Sequence, residues 1–253
     1  MILSKDDLKI LCDIAISVAR EAGALINSYV GSELVVNEKK EGLSRAAQVV
    51  TEVDLKSQEV ILKSITPTCE AYDLGLLCEE GIDDYSRLKK DYFWCIDPLD
   101  GTLPFIESRA GYAVSIALVS KEGVPTIGVI YEPLTQTLYH AIDGMGAFRN
   151  ERPWHLEQDD SKSSTTIDLG GAVMNACWVL ERSPASFNKK PKSEDGGGCL
   201  WDYAATACLF KEMGAWVSDS FGNPLDLNRE DSTYMNHKGF VFASNSEIAK
   251  LLL

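Results

Sequence analysis

Two aspartates stand three residues apart at the end of an apolar run. The run YFWCI occupies residues 92–96, and Asp97 and Asp100 follow it in the stretch WCIDPLDGT. Buried carboxylates are costly unless cations or hydrogen bonds stabilise them, and two at one strand end repel each other. A divalent ion relieves both costs, and Mg²⁺ prefers carboxylate and carbonyl oxygens as ligands. The stretch therefore points to a metal site.

The residues next to these aspartates fit the same chemistry. Pro98 has no N–H and a fixed φ, so we expect a sharp bend that exposes the Leu99 carbonyl. Gly101 and Thr102 open a short predicted helix, TLPFIES, and the free N–H groups of a helix N-terminus can bind phosphate. Asp, Pro and Gly are also common turn residues, so this stretch alone favours a plain turn and a metal site equally.

Three other groups of acidic residues could join the site, and each has an ordinary structural explanation. Glu79 and Glu80 end the apolar run LGLLC, where they could be a solvated pair at the start of a loop. Thr51 and Asp54 form the pattern T-x-x-D, which is typical of a helix capping box. Asp202, in CLWDYAATA, could be the N-cap of a helix. Taken singly, no group decides between structure and chemistry.

Two long helices are predicted in the N-terminal part of the chain. The first runs from Ser4 to Val30, with a capping box between Ser4 and Asp7 and Gly31 as its stop. The second covers residues 49–65 and ends before Pro67, because proline lacks the N–H that a helix interior needs.

The remainder mixes strands and helices in blocks, which favours a layered α/β or α+β sandwich over a simple doubly wound sheet. The predicted elements are strands at 74–78 and 92–96, an antiparallel meander over 112–150, a polar surface loop at 155–170, a strand at 171–180, a flexible segment at 183–198, a helix over Asp202–Met213, strands at 215–219 and 239–244, and a short final helix.

Composition limits the possible partners. The 253 residues are 45% hydrophobic, enough for one large domain or two lobes sharing a core. The net charge of -14 argues against nucleic acid and anionic membranes as partners, and no stretch has the apolar length of a membrane span. Seven scattered cysteines without a C-x-x-C motif indicate reduced core residues of a cytoplasmic protein. A homodimer is possible, and nothing in the sequence decides it.

Together the acidic groups resemble one family. The order V-T-x-x-D, E-E, W-x-I-D-P-L-D-G-T and W-D-x-A-A is similar to that of the inositol monophosphatase superfamily, whose members are magnesium-dependent, lithium-sensitive phosphomonoesterases. The resemblance covers about residues 50–245. It implies a layered αβαβα sandwich of the sugar-phosphatase fold, in a single phosphatase domain with lobes at about 1–150 and 151–253. It also implies that two or three Mg²⁺ ions bind and that Li⁺ inhibits the enzyme.

The resemblance also implies a role for each residue of the site. The metal ligands would be Glu79, Asp97, the Leu99 carbonyl, Asp100 and Asp202. Thr102 and Glu79 would hold the attacking water, Asp54 would bond to the Thr102 hydroxyl from behind, and the N–H groups of Gly101 and Thr102 would cradle the phosphate. No side-chain nucleophile is needed, and the three histidines are interpreted as structural or surface residues.

The sequence departs from the family between the GAF strand and the W-D motif. The usual strand-and-loop unit with an S-R-S-type motif is replaced by the polar residues 155–170, which affects the rim that recognises the leaving group. Asp195 and Glu194 lie where family members often contact the leaving group. The alternative interpretation is that both residues belong to a disordered loop. Asp100 would also contact the substrate.

The substrate favoured by the resemblance is 3′-phosphoadenosine 5′-phosphate, hydrolysed to AMP and phosphate as in the bisphosphate-nucleotidase branch. Inositol phosphates or other sugar phosphates are the alternative, since DGTLPF matches neither branch. Arg109, Lys190 and Lys192 are candidates for contacting a second phosphate. A remote alternative is an inactive metal-binding scaffold.

Overall fold

The structure is a computed structural model that describes residues 2–30, 45–157 and 163–253. Five layers follow one another, confirming the predicted αβαβα sandwich. They are helices α1 (Lys5–Tyr29) and α2 (Arg45–Tyr72), a seven-stranded sheet, helices α4 (Ala172–Glu181) and α5 (Leu200–Glu212), a four-stranded sheet, and helix α6 (Ser246–Lys250), while the short helix α3 (Thr102–Ile106) lies at the end of a strand of the first sheet.

The large sheet contains the meander that the sequence predicts. Its strands lie in chain order: β1 (Gly75–Cys78), β2 (Tyr92–Asp100), β3 (Ala113–Ser120), β4 (Pro125–Glu132), β5 (Thr137–Ile142), β6 (Gly146–Arg149) and β7 (Arg152–Pro153). β1 pairs with β2 in parallel and all later pairs are antiparallel. The parallel pair brings the carboxyl ends of β1 and β2 to the same sheet edge.

The small sheet has the order β10-β11-β9-β8. Its strands are β8 (Thr165–Thr166), β9 (Ala185–Lys189), β10 (Trp216–Ser218) and β11 (Phe240–Ala243). β8 and β9 are parallel, and the other two pairs are antiparallel.

Two large apolar cores hold the layers together. One lies between α1, α2 and the large sheet, and the other lies around α4 and α5 between the two sheets. Gly128 in β4 allows α5 to approach the sheet, because a Cβ atom there would lie 2.3 Å from the Ala205 carbonyl oxygen. Among the described residues, no helix has both the length and the apolar character needed to cross a membrane.

The start of α1 follows the sequence prediction closely. The Ser4 hydroxyl accepts a hydrogen bond from the Asp7 N–H, and the Asp7 carboxylate accepts one from the Ser4 N–H, so the capping box is formed. The predicted stop, Gly31, lies outside the described residues. The predicted helix near the W-D motif, the late strands and the short final helix are also present.

Three predicted elements are wrong, and the loop predicted at 155–170 contains the two-residue strand β8. Residues 172–181 form a helix rather than a strand, because α4 is buried from Val173 to Leu180 and a uniformly apolar run carries no period to distinguish the two. Part of the segment predicted to be flexible is β9, which pairs with β11 and β8 in the small sheet.

The third wrong element is the end of the second helix, which continues through Pro67 to Tyr72. Two side-chain hydrogen bonds hold the turns around Pro67 in place. The Thr68 hydroxyl donates to the Ile65 carbonyl at 2.7 Å, and the Trp94 indole N–H donates to the Thr68 hydroxyl at 2.9 Å. Packing on β2 therefore outweighs the helix-breaking tendency of proline.

Candidate active site

Three carboxylates meet where the two halves of the sandwich join. Asp97, Asp100 and Asp202 each place one oxygen within 4.8 Å of the others. Asp97 and Asp100 are buried, with 2% and 9% of their surface exposed, and Asp202 is half-buried. We call these three residues the acidic centre. Residues separated by about a hundred positions in the sequence thus converge, as the metal-site prediction requires.

The end of β2 is bent between its two aspartates. The register with β3 shifts between Asp97 and Asp100, and the Leu99 N–H donates to the Asp97 carboxylate at 2.9 Å. The Pro98 carbonyl accepts a hydrogen bond from the Ser57 hydroxyl of α2 at 2.8 Å. The D-P-L-D stretch is therefore a distorted strand end anchored to a helix rather than a free turn.

Asp100 also caps helix α4. Its two carboxylate oxygens accept hydrogen bonds from the N–H groups of Ala172 (3.1 Å) and Val173 (2.9 Å). A Cβ atom at Gly171 would lie 2.2 Å from an Asp100 oxygen, so glycine is the residue that permits this contact. Helix α4 thus begins at the acidic centre.

Asp202 has a similar second role in α5. It is the third residue of that helix, and its carboxylate accepts a hydrogen bond from the Cys199 N–H at 2.7 Å. Asp202 is therefore not the N-cap, which is Cys199, but the third helical residue of a capping box. This contact does not exclude a chemical role, because the same carboxylate lies in the acidic centre.

Glu79 and Asp54 lie beside the acidic centre. Glu79 directly follows β1, and its N–H donates to the Ile96 carbonyl of β2 at 3.1 Å. Asp54 lies inside α2 and is buried, and Thr51 lies on the same helix, so the T-x-x-D pattern is not a helix start. Thr102 is the exposed first residue of α3. No hydrogen bond between Asp54 and Thr102 is formed among the described residues.

The pKa values of these carboxylates are raised, as expected for buried negative charges that lie close together. Burial, followed by the neighbouring carboxylates, raises the pKa values of Asp97 and Asp100 well above those of ordinary aspartates, and burial raises the pKa of Asp202. Burial and the charges of Glu80 and Glu79 raise the pKa of Asp54 to about 8. Burial also raises the pKa of Glu79, to about 7, although a good part of its side chain reaches solvent.

Among the described residues, these carboxylates form no ion pair. Within the described part of the chain, neither lysine nor arginine forms an ion pair with Asp54, Glu79 or the acidic centre. A cluster of oxygen ligands at this spacing, with no positive partner, suits a hard divalent cation.

Comparison with known proteins identifies the family. A model described as the inositol monophosphatase family matches residues 7–169, more than half of the chain. The chain belongs to the inositol monophosphatase family. Its members are phosphoric monoester hydrolases acting on small phosphorylated substrates, and this chain is a phosphatase of that family.

Individual relatives carry different names. An inositol-1-monophosphatase from Synechocystis is 28% identical, with the alignment covering 98% of this chain and 88% of the relative. A 3′(2′),5′-bisphosphate nucleotidase CysQ from Aggregatibacter actinomycetemcomitans is also 28% identical, over 86% and 87% of the two chains. The solved inositol monophosphatase from Anabaena has a TM-score of 0.71, 24% identity and coverage of 97% and 94%, which shows a shared fold.

Sequence reasoning missed residues that hold the family motifs in place. Gln58 of α2 accepts a hydrogen bond from the Glu80 N–H at 3.2 Å and donates to the Glu80 carbonyl at 2.9 Å. Gln58 and Ser57 are both buried. The available signal was their helical spacing: with Asp54 they stand at i, i+3 and i+4, a polar patch on a helix face that also carries buried apolar residues.

Glu132, at the end of β4, was also missed. Its buried carboxylate accepts a hydrogen bond from the Gly111 N–H at 3.1 Å, and the Gly111 carbonyl accepts one from the Gly171 N–H at 2.7 Å. A Cβ atom at Gly101 would lie 2.4 Å from the same Gly111 oxygen. Glu132 thus fixes the loop against which the start of α3 and the start of α4 both pack. A buried glutamate ending an apolar strand was the only sequence signal.

The residues predicted at the rim are scattered. Asp195 and Glu194 are exposed on the segment after β9, and the Glu194 carbonyl accepts a hydrogen bond from the Asn236 side chain. The Arg109 guanidinium is occupied by the Glu107 carboxylate and by the Leu169 carbonyl. Lys190 is exposed beside β9, as is Lys192.

Proposed function

We propose that the chain is a Mg²⁺-dependent phosphomonoesterase that hydrolyses 3′-phosphoadenosine 5′-phosphate to AMP and phosphate. The observation that carries the proposed chemistry is the acidic centre, whose three carboxylates converge and form no ion pair with a lysine or arginine of the described residues. The choice of a nucleotide is supported by the CysQ relative, whose name specifies a bisphosphate nucleotidase. The second candidate, an inositol phosphate, is favoured by the Synechocystis relative, which matches more of the chain.

The donor set fits magnesium. Asp97, Asp100 and Asp202 offer carboxylate oxygens from three different elements, and Glu79 and the Leu99 carbonyl would complete the ligands of two or three ions. When bound, Mg²⁺ would neutralise the phosphate charge and make water a better nucleophile near neutral pH. Li⁺ would inhibit by competing for the same carboxylates.

The remaining residues would place the reactants. The Thr102 hydroxyl and the Glu79 carboxylate would hold the attacking water. Asp54 would orient the Thr102 hydroxyl from α2. The two side chains form no hydrogen bond in this structure.

The phosphate would bind at the start of α3. Gly101 has a left-handed backbone (φ 88°, ψ 49°), and the N–H groups of Gly101 and Thr102 would donate to the phosphate oxygens. Asp100, and Asp195 on the segment after β9, would contact the rest of the substrate. Any residue larger than glycine at position 101 would meet the Gly111 carbonyl, so we expect this cradle to tolerate glycine alone.

We further propose that residues 1–253 form a single phosphatase domain with lobes at about 1–150 and 151–253. The seven cysteines are all free, five of them buried, which suits the reducing cytoplasm. A homodimer is compatible with this arrangement, and no other partner is required for the chemistry.

Phosphate release from 3′-phosphoadenosine 5′-phosphate and from inositol 1-phosphate, in Mg²⁺ with and without Li⁺, tests the proposal. We expect lithium-sensitive turnover of the nucleotide, abolished in Asp97→Asn. The control is Asp168→Asn, which removes an exposed aspartate outside the acidic centre and should keep full activity. Turnover of inositol 1-phosphate alone would mean that the substrate is an inositol phosphate rather than the nucleotide. A folded protein that is inactive on both compounds would favour a metal-binding scaffold.

A further inference from the structure

A buried serine interrupts an apolar row on strand β3. Successive residues of a strand point to opposite faces, and the row that faces helix α5 consists of Ala113, Ser115, Ala117 and Val119. The three apolar members belong to the core around α4 and α5, and Ser115 has no exposed surface. Because a buried hydroxyl is costly unless it is hydrogen-bonded, its partner indicates why a serine stands here.

The partner of Ser115 is the first turn of helix α5. The Ser115 hydroxyl donates to the Trp201 carbonyl at 3.1 Å, across 86 positions of sequence. Trp201 directly precedes Asp202 of the acidic centre. A carbonyl oxygen has two lone pairs, so the Trp201 carbonyl can accept this hydroxyl as well as an N–H group of its own helix. The bond therefore ties strand β3 to the turn that carries Asp202.

Ser115 also lies beside the other half of the acidic centre. In the antiparallel pair of β2 and β3, Ser115 is the cross-strand partner of Asp97. Regular pairing stops at this position, since the register shifts between Asp97 and Asp100. Ser115 is thus paired through its backbone with Asp97, and its side chain is bonded to the residue before Asp202.

Helix α5 packs closely on the same part of the large sheet. A Cβ atom at Gly128 would lie 2.3 Å from the Ala205 carbonyl oxygen and 3.0 Å from the Cys208 Cβ atom. The Cys208 thiol donates a weak hydrogen bond to the Ala141 carbonyl at 3.7 Å. Apolar contacts set the distance between helix and sheet, but they are non-directional. The Ser115 hydroxyl supplies a directional contact at the end of the helix that reaches the acidic centre.

Packing alone does not require a serine at position 115. Alanine occupies the neighbouring positions 113 and 117 of the row, so alanine would also fit at 115. Removing the hydroxyl would leave no buried donor without an acceptor, and the Trp201 carbonyl would keep access to the N–H groups of its helix. The hydroxyl should therefore contribute little to folding, and its contact with the turn of Asp202 points to a role at the acidic centre.

We propose that Ser115 is a positioning residue that sets the separation of Asp97 and Asp202 and thereby makes the acidic centre selective for Mg²⁺ over larger divalent cations. This inference rests on the proposed Mg²⁺-dependent function. Mg²⁺ requires oxygen ligands at about 2.0–2.1 Å in nearly ideal octahedral geometry, whereas Ca²⁺ accepts about 2.3–2.6 Å and irregular geometry. Carboxylates held at a fixed separation favour the more demanding ion, so loss of the tie weakens Mg²⁺ binding more than Ca²⁺ binding.

Cation binding to the full chain, without substrate, tests the inference. The rise in Tm on titration with Mg²⁺ or with Ca²⁺ gives an apparent Kd for each ion. The main variant is Ser115→Ala, and Ser115→Cys keeps a weaker donor.

The control is Thr126→Val. Thr126 is also buried in the large sheet, and its hydroxyl donates to the Leu118 carbonyl of β3 at 2.9 Å. Leu118 pairs with Trp94, on the side of Ser115 away from the acidic centre. The control therefore removes the same kind of hydrogen bond from the same sheet without touching the centre.

One hydrogen bond of this kind is worth about a factor of two to ten in an equilibrium constant. We expect Ser115→Ala to raise the apparent Kd for Mg²⁺ about three- to tenfold and that for Ca²⁺ less than about twofold, with Ser115→Cys in between. Thr126→Val should leave the ratio of the two Kd values unchanged. In EDTA, the Tm of Ser115→Ala should lie within about 4 °C of that of the wild type.

The inference and the proposed function fail in different ways. If the wild type binds neither ion, the proposed function is wrong and the inference falls with it. If the wild type binds Mg²⁺ and Ser115→Ala keeps the wild-type ratio of the two Kd values, the inference alone is overturned. A lower Tm in EDTA with that ratio unchanged would identify Ser115 as a residue of the core and nothing more.

Discussion

Removing one carboxylate of the acidic centre should stabilise the metal-free protein while it abolishes activity. The informative change is Asp97→Asn. Asparagine keeps the oxygen that accepts the Leu99 N–H and nearly the same volume, so it removes the negative charge with little change in packing. If the centre exists to bind cations, the empty site is strained by repulsion, and the neutral variant lacks part of that strain.

The expected size follows from the spacing of the centre. Two unit charges at the largest separation within the centre, 4.8 Å, repel each other by about 3 kcal/mol at an effective dielectric constant of about 20. If one of the three carboxylates is protonated, the total repulsion is about that of one pair of charges. For a chain of this size, 1 kcal/mol corresponds to roughly 2–4 °C in Tm, so about 6–12 °C is expected.

The effect has a definite pH dependence. The pKa of Asp97 is raised in the folded state above its ordinary value of 3.8, so above that value the folded protein holds more protons than the unfolded chain and loses stability as pH rises. The advantage of the variant should therefore be small near pH 4–5 and large near pH 8.

Thermal unfolding in EDTA and in Mg²⁺, at both pH values, measures these expectations. Asp97→Asn should unfold at a higher temperature than the wild type in EDTA at pH 8, and Mg²⁺ should raise the Tm of the wild type more than that of the variant. The reasoning is refuted if the variant is less stable than the wild type in EDTA and responds equally to Mg²⁺.

Three further substitutions test residues that hold the site or the fold. Gln58→Leu removes both hydrogen bonds to the backbone of the E-E pair, so activity should fall about ten- to a hundredfold with a higher Mg²⁺ requirement; an unchanged Mg²⁺ titration would contradict this. Arg87→Met should lower the free energy of unfolding by about 3–5 kcal/mol in urea, because Arg87 is fully buried and bonds to Asn228 at 2.8 Å; a loss below about 1 kcal/mol would contradict it. Glu132→Leu should lower kcat because it removes the hydrogen bond that holds Gly111. Glu132→Gln keeps an acceptor and should retain most of the kcat. Equal activities of the two variants would exclude a positioning role for Glu132.

Much of the fold was predictable from local sequence patterns. The capping box of α1 and the alternation of short strands and turns in the large sheet are local signals, and both features are present. Helix α4 was not predictable in this way, because a helix buried on every side has no polar face. The end of α2 depends on contacts between Thr68 and Trp94, which are distant in sequence.

The acidic centre was predictable for a different reason. D-P-L-D-G-T and W-D specify rare combinations of residues, whereas Gln58 and Glu132 act through one or two hydrogen bonds to backbone groups. Nearly every residue offers the same backbone groups, so the sequence does not show which loop such a side chain will contact.

The structure also explains how the fold tolerates an acidic centre before any cation arrives. Asp100 accepts two N–H groups at the start of α4, and Asp202 accepts one at the start of α5. Both helices therefore direct their positive N-terminal ends at the centre, and this partial charge offsets part of the repulsion. Asp100 and Asp202 thus each hold a structural contact as well, which fixes their positions in advance. Because backbone N–H groups supply only part of the compensation, the remainder is the driving force for cation binding.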